Sequence, residues 1–447
     1  MKQRIQLSDH FNYRKLFRFA LPSVIMLLFS SIYGVVDGIF VSNFAGKTEF
    51  SAINFIMPIF MIVGAFGFMM GAGGTAIVAR TLGEKNEKLA NRYFSLFVYV
   101  TLGAGALIAS LGVIFIRPLS MLLGAEGALL EACVRYGRIV IAAMPAFMLQ
   151  NLFQSFFIVA EKPKMGLLIT IFAGVTNMVL DALLVVLLPQ QIRLEGAAIA
   201  TATSQLVGGI IPIIYFIRKN SSLLSLTKTR FYGKALIKAM TNGSSEFLSN
   251  ISASVVTMLY NMQLLSLEGE DGVAAYGTIM YVGFIFVAMF IGYAVGTAPL
   301  VGYNFGAKNT DELKNLFKKS ITVCLLSGAI MTLVAFFFAR PLAMVFTGYD
   351  ERLFELTVKG FRIFSFTFLL SGVCIWGSSF FTALNDGLTS AALAFMRTVV
   401  YQVILILVLP AFFGIDGVWF AALFAECLAF LTTVSVFILH RKKYHYI

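Results

Sequence analysis

Twelve apolar stretches follow one another along this chain, each separated from the next by a short polar or basic segment. They lie near 18–42, 52–79, 93–116, 138–160, 165–188, 196–217, 236–266, 273–301, 319–339, 361–384, 389–413 and 416–439. Crossing the hydrocarbon core of a bilayer takes about 20 apolar residues in a helix, so each stretch predicts one membrane span. Lipid offers the backbone no hydrogen-bond partners, and a helix satisfies its own. The first stretch follows a polar and basic leader and lacks a small-residue cleavage site, so it reads as a span and not as a signal peptide.

The polar segments predict the topology. With the N-terminus in the cytoplasm, most of the 34 Lys and Arg fall on the inner side. They include Lys2, Arg4, Arg14, Lys15 and Arg18 before the first span, and Arg80, Lys85, Lys88 and Arg92 after the second. Lys308, Lys314, Lys318 and Lys319 follow the eighth, and Arg441, Lys442 and Lys443 close the chain. Basic residues collect on the cytoplasmic side of membrane proteins, so both termini are expected inside. Between the sixth and seventh spans, Arg218, Lys219, Lys228, Arg230, Lys234 and Lys238 stand with no acidic residue among them. That linker reads as inner-side anchoring before it reads as a binding element.

The pattern also repeats. Gly74-Thr75-Ala76 with Gly83, Lys85 and Asn86 recurs as Gly296-Thr297-Ala298 with Gly306, Lys308 and Asn309. Arg117-Pro118-Leu119 recurs as Arg340-Pro341-Leu342, Phe156-Phe157 as Phe380-Phe381, and Glu195-Gly196 as Asp416-Gly417. The offset is nearly constant, 222 residues from Gly74 to Gly296 and 224 from Phe156 to Phe380. Six spans per half is an even number, so both halves enter the membrane from one side, as a parallel repeat. The expected fold is an all-α membrane protein of twelve transmembrane helices in two six-helix lobes. The lobes are residues 1–220 and 236–447, with residues 221–235 as the basic cytoplasmic linker.

Composition agrees and removes some functions. Of 447 residues, 59% are hydrophobic and 13% charged, with a mean hydropathy of +0.87. Soluble domains carry about 25% charged residues. The net charge of +12 reflects basic loops, so nucleic acid is not an expected partner; membrane lipids are. The four cysteines are far apart and read as small buried hydrophobes, not as a metal or redox centre. The three histidines lie towards the ends of the chain, so no intramembrane relay or metal site is expected from them. No Gly-x-Ser-x-Gly or His-Glu-x-x-His motif appears, so an enzyme is not expected, nor any cofactor.

Two residues violate the apolar pattern. Asp37 lies in the first span and Asp181 in the fifth. A carboxylate at the centre of a spanning helix costs roughly 2.5–3.5 kcal/mol on insertion scales, and such residues usually serve an ion or proton pathway. Asp37 precedes Lys47, the next charge outside, by ten residues, and Asp181 precedes Arg193 by twelve, which puts both at one depth in the outer half. Asn177 is one turn from Asp181 on the same face. Such a set suits Na⁺ ligation by oxygen atoms and suits a shared proton equally, since burial and a like charge both disfavour the ionised carboxylate. At the repeat offset Asp37 corresponds roughly to Asn261 and Asp181 to Leu405, so the acidic pair is not duplicated.

Other positions carry weaker signals. Pro22 is either an innocent first-turn residue or a kink within the first helix. Gly67-x-x-x-Gly71 and Gly292-x-x-x-Gly296 are small-residue packing faces. Tyr33, Asn54, Gln150, Asn151, Gln154 and Gln205 are polar residues within first-lobe spans and candidate contacts for a substrate. A minority of the 45 Phe, 19 Met and 16 Tyr would line the same chamber. Glu426, mid-span in the twelfth helix, is a second-lobe acidic candidate for pairing or for transport.

These residues resemble the multidrug and toxic compound extrusion (MATE) family, most closely its bacterial MepA-type and DinF-type branches. The resemblance covers essentially the whole chain. It rests on Leu21-Pro22-Ser23 with Asp37-Gly38, on the Gly74-Thr75-Ala76 loop, on Asn177 with Asp181, on Gly196 to Thr201, and on Gly417-Val418-Trp419. It implies a V-shaped pair of six-helix lobes in the bacterial cytoplasmic membrane, exporting amphipathic and mainly cationic drugs in exchange for H⁺ or Na⁺. It also implies a first-lobe cation site at Asp37, Asn177, Asp181 and Thr201, and a bend at Pro22 coupled to Asp37. Some relatives add an acidic pair in the second lobe. Glu246 is the nearest match, close to the cytoplasmic end of its span, and Asp386 falls in a turn. A monomer is expected. The alternative is a lipid-linked oligosaccharide flippase, which needs basic residues in its cavity; here the intramembrane charges are mostly acidic, with Arg397 the main exception.

Overall fold

The computed structural model describes residues 5–41, 44, 47–348 and 350–446. Lys2 and Arg4, counted above among the inner basic residues, lie outside the described residues. The first lobe holds α1 (Tyr13–Phe40), α2 (Lys47–Gly83), α3 (Glu87–Leu122), α4, α5 (Pro163–Leu187) and α6 (Arg193–Ile217). Helix α4 is a bent pair, Gly127–Ala142 and Met144–Val159, broken by 52°. Pro145 at the start of the second piece donates no backbone bond, which favours a break there. Residues 127–137 of this pair were expected to precede the span; they are its first turns.

The second lobe opens with a stretch that is helical in outline from Gly233 to Gly306 but has Gly269 at φ 64°, ψ −145°, a conformation essentially reserved for glycine. The rings of Tyr260 and Tyr276, sixteen residues apart, stack at 5.0 Å. Sixteen residues of straight helix would cover about 24 Å, so the chain reverses at Gly269. It forms two spans, α7 (233–268) and α8 (270–306). Then follow α9 (Thr310–Phe337), a short helix Ala339–Thr347, α10, α11 (Gly387–Phe413) and α12 (Ile415–Tyr444). Helix α10 is again a bent pair, Glu351–Ser365 and Thr367–Ala383, broken by 47°. Nine helices among the described residues are long and apolar enough to cross a membrane. The two bent pairs bring the number to eleven, and the reversal at Gly269 to twelve. The matching bends in α4 and α10 carry the sequence repeat into the backbone.

The apolar core falls into four clusters. Two belong to one lobe each: Val41, Ile56, Tyr136 and Val185 in the first, and Tyr260, Tyr276, Val358 and Trp419 in the second. The other two join the lobes. One puts Leu16, Phe19 and Ile158 with Leu300, Trp376 and Phe437; the other puts Met70 and Phe94 with Ala239 and Tyr303. The joined clusters sit at the end that carries both termini and the linker, so the lobes close together there. Glycines permit this closeness. A methyl group on Gly73 of α2 would strike the Ala239 carbonyl of α7, and one on Gly243 of α7 would strike the Met69 carbonyl of α2.

Polar contacts seal the same end. Leu7 and Phe11 are fully buried. The Leu7 amide donates to Glu161 of the first lobe at 2.8 Å, and the Phe11 amide to Glu312 of the second at 3.0 Å. The linker lies along α3: the Ser225 amide donates to Asn91 at 2.6 Å and the Thr227 amide to Ser95 at 2.9 Å. At the far end of the chain Tyr446 is buried among Phe317, Phe380 and Phe437.

Candidate functional site

Helix α1 places Phe29, Tyr33 and Asp37 at successive intervals of four, on one face. That face meets α5 at Gly174, whose missing side chain leaves room for the rings of Phe29 and Tyr33. Asn177 and Asp181 follow Gly174 by about one and two turns. The close approach at Gly174 therefore carries Asp37 up to both of them. The Asp37 carboxyl comes within hydrogen-bonding reach of the Asp181 carboxyl and the Asn177 amide.

Asp181 is completely buried and Asn177 nearly so. Among the described residues, both Asp181 oxygens, Asp37 Oδ1, Asn177 Oδ1 and Thr201 Oγ1 are buried without a hydrogen-bond partner. Facing carboxylates make no hydrogen bond while both are ionised, and make one when they share a proton. Unpaired buried polar atoms cost roughly 1–3 kcal/mol each, so a cluster of five calls for a cation or a proton. The donor set is two carboxylates, an amide carbonyl and a hydroxyl, all hard oxygen ligands of the kind alkali and alkaline-earth cations prefer.

Tyr136 joins this group and was not a candidate from the sequence. It is buried on α4. Its hydroxyl approaches Thr201 of α6 and lies within the field of Asp37 and Asp181, without closing a conventional hydrogen bond to Thr201. Tyr33 sits beside Asp37 and reaches towards Gln150 of α4. The site thus draws on α1, α4, α5 and α6, all of the first lobe.

The remaining candidates are placed less centrally. Gln150 is buried and packs against Gly208. With Gln154, Thr170 and Gly208 it lines a small internal cavity of the first lobe. Gln154 donates to the Thr170 hydroxyl at 3.4 Å. Asn151 and Gln205 are buried, with Asn151 Nδ2 and Gln205 Oε1 unpartnered. Asn54 is exposed on α2. In the second lobe, Glu246 lies less than one turn beyond the α2–α7 crossing at Gly243. Glu426 is buried and bound by Arg397, whose Nε donates to Oε1 at 2.9 Å and to Oε2 at 3.2 Å. Asp386 caps α11 and accepts from the Tyr444 hydroxyl at 2.6 Å and the Lys443 ammonium at 3.2 Å. Pro22 is buried ten residues inside α1, so the first-turn reading of it does not hold.

Two six-helix lobes, packed together at the end that carries the termini, with an intramembrane carboxyl pair in one of them, define a two-lobed membrane transporter. The family model described as MatE matches twice, over residues 22–183 and 247–408. The chain belongs to that family of multidrug export transporters, with one copy of the unit in each lobe. It is 27% identical over 433 residues to the multidrug export protein MepA of Staphylococcus haemolyticus, covering 96% of this chain and 94% of that one. The MepA of Staphylococcus saprophyticus is 24% identical over 432 residues, with the same coverage. A solved structure described as the outward-facing conformation of a multidrug resistance MATE family transporter superposes with a TM-score of 0.91 at 21% identity, covering 100% of this chain and 98% of that one. At that identity the likeness speaks for the fold.

Proposed function

We propose that the protein is an antiporter of the bacterial cytoplasmic membrane, with both termini inside. It exports amphipathic, mainly cationic drugs in exchange for H⁺ or Na⁺ by alternating access. The observation that carries this reading is the Asp37–Asp181 pair with Asn177 and Thr201, of which both Asp181 oxygens, Asp37 Oδ1, Asn177 Oδ1 and Thr201 Oγ1 are buried without a hydrogen-bond partner among the described residues. A proton or Na⁺ entering from outside settles there. It favours a state with lower drug affinity, and the drug leaves outward. Coupling requires only that ion and drug prefer different states.

The packed end that carries the termini supports a starting state closed on the inner side. Tyr33 lies beside Asp37 and reaches towards Gln150; these two, with the buried Asn151 and Gln205, are the preferred drug contacts. In the second lobe Glu426 is tied to Arg397, so its role there is pairing. A lipid-linked oligosaccharide flippase is less well supported, because holding a pyrophosphate calls for several basic residues and Arg397 stands alone among mostly acidic intramembrane charges.

Purified protein in proteoliposomes, given a pH gradient and a Na⁺ gradient separately, tests the reading and chooses the ion. One gradient is expected to drive uptake of a cationic dye into inside-out vesicles, and Asp37→Asn or Asp181→Asn to abolish it. Wild-type uptake rates in both variants would show that the site is misplaced.

A further inference from the structure

The register of the internal repeat sets a charged group of the second lobe against neutral positions of the first. Glu161 and Asn385, both left-handed, precede the helix caps Lys162 and Asp386. On that register Ala173 of α5 corresponds to Arg397 of α11. Phe156-Phe157 and Phe380-Phe381 align Gln150 with Cys374, and Gly196 and Gly417 align Gln205 with Glu426. The first-lobe positions Gln150 and Gln205 are neutral amides. Their second-lobe counterparts are a thiol and a carboxylate, beside an arginine.

The arginine is built in but not used up. Residues Met396–Val400 form a single π-turn within α11, a feature often found at functional sites. It carries Arg397 towards α12, where Nε binds both oxygens of Glu426. Cys374 of α10 lies beside the pair. The Glu426 side chain is 5% exposed, whereas that of Arg397 is 22% exposed. Nη1 and Nη2 donate to no partner among the described residues. Both partners of Arg397, Glu426 and Cys374, are buried in the lobe. The free fork of the guanidinium therefore looks into the lobe's interior.

We infer that Arg397 is an anion subsite, with its free Nη atoms positioned to hold the carboxylate of an amphipathic substrate. This rests on the export reading proposed above. Glu426 is a positioning residue that fixes the guanidinium and balances its charge when no substrate is bound. A planar guanidinium binds a carboxylate with two parallel hydrogen bonds.

The test compares a zwitterionic fluoroquinolone with its ethyl ester, which keeps the amine and loses the carboxylate. Both are assayed in proteoliposomes with wild type, Arg397→Lys and the charge-balanced double variant Arg397→Gln/Glu426→Gln. The inference expects the acid-to-ester ratio of export to fall in the double variant by roughly 10-fold to 100-fold, the worth of a hydrogen bond to a charged group. Arg397→Lys should fall in between, since it keeps the charge and loses the fork. If wild type moves both compounds and the ratio stays constant, Arg397 is only a structural partner of Glu426 and the inference is overturned. If the ratio depends instead on anionic lipid in the vesicles, the guanidinium holds a lipid phosphate, and the carboxylate assignment is equally overturned. If wild type exports the cationic dye but neither quinolone compound, the subsite inference fails alone; if it exports neither the dye nor the quinolones, the export reading fails and the subsite with it.

Discussion

Asp181 is the residue on which the rest turns. It is fully buried, and neither oxygen has a protein partner among the described residues. Asp181→Asn removes the charge and keeps the shape, so the protein should insert and fold while gradient-driven export falls to background. Export by vesicles with matched protein content measures this. Tyr136 makes a subtler case. Its hydroxyl faces Thr201 and the two carboxyls, and a neutral hydrogen bond is worth about 1 kcal/mol. Tyr136→Phe should therefore weaken the apparent affinity for the coupling ion by about fivefold and leave the maximal rate near wild type. An ion titration of the transport rate separates the two parameters. The aspartates were legible in the sequence because a charge in an apolar run is an anomaly. Tyr136 was not, because a tyrosine in an amphipathic helix is ordinary, and only its position between α5 and α6 gives it a role.

Single elements show what packing adds to pattern. Helix α1 runs unbroken through Pro22, which is held within the helix by buried surroundings. Helices α2 and α7 cross at Gly73 and Gly243, where even one methyl group would meet the facing backbone. Overpacking of this kind typically costs 1–3 kcal/mol. Gly73→Leu should lower the melting temperature of the detergent-solubilised protein and open the end that carries the termini. An unchanged melting temperature would mean that the crossing has slack.

The turn between α10 and α11 is sensitive to acid. Burial works against the charge on Asp386, but the Tyr444 hydroxyl, the Lys443 ammonium and the Thr389 side chain and amide outweigh it. They hold the carboxyl below the usual carboxylate range. A group held low in this way stabilises the fold fully at higher pH, and that contribution is lost as pH falls through its lowered folded value. Asp386→Asn keeps a capping side chain and loses the charge. Its thermal stability should change less than that of wild type between about pH 5 and pH 3. Equal acid slopes would show that these contacts carry no stability.

At the scale of the whole molecule, the end bearing the termini behaves as a closed gate with several fastenings. The buried N-terminal segment bridges Glu161 of one lobe and Glu312 of the other, and Glu312 also binds His10 at 2.6 Å and Asn315 at 2.8 Å. Opening this end in a transport cycle must undo those bonds together with the two shared apolar clusters. Glu312→Gln removes the charge that gathers them. In a variant that also carries Ala79→Cys, at the contact with Gly302 of α8, a membrane-impermeant maleimide applied from the terminal side should label several times faster than in the parent. Such local opening is what a weakened fastening predicts.

Hydropathy alone determined the number of spans and exposed the acidic pair. Each follows from the cost of placing a polar group or an unpaired backbone in lipid, which acts on every segment separately. The same rule could not see the bent pairs α4 and α10, the reversal at Gly269 as one tight hairpin, or the partner of Glu426. Those depend on which helices touch. Only the tertiary structure brought Asp37, Asn177, Asp181, Thr201 and Tyr136 from four helices to one point. It did so because Gly174 lets α1 lie against α5, a contact that no local pattern encodes.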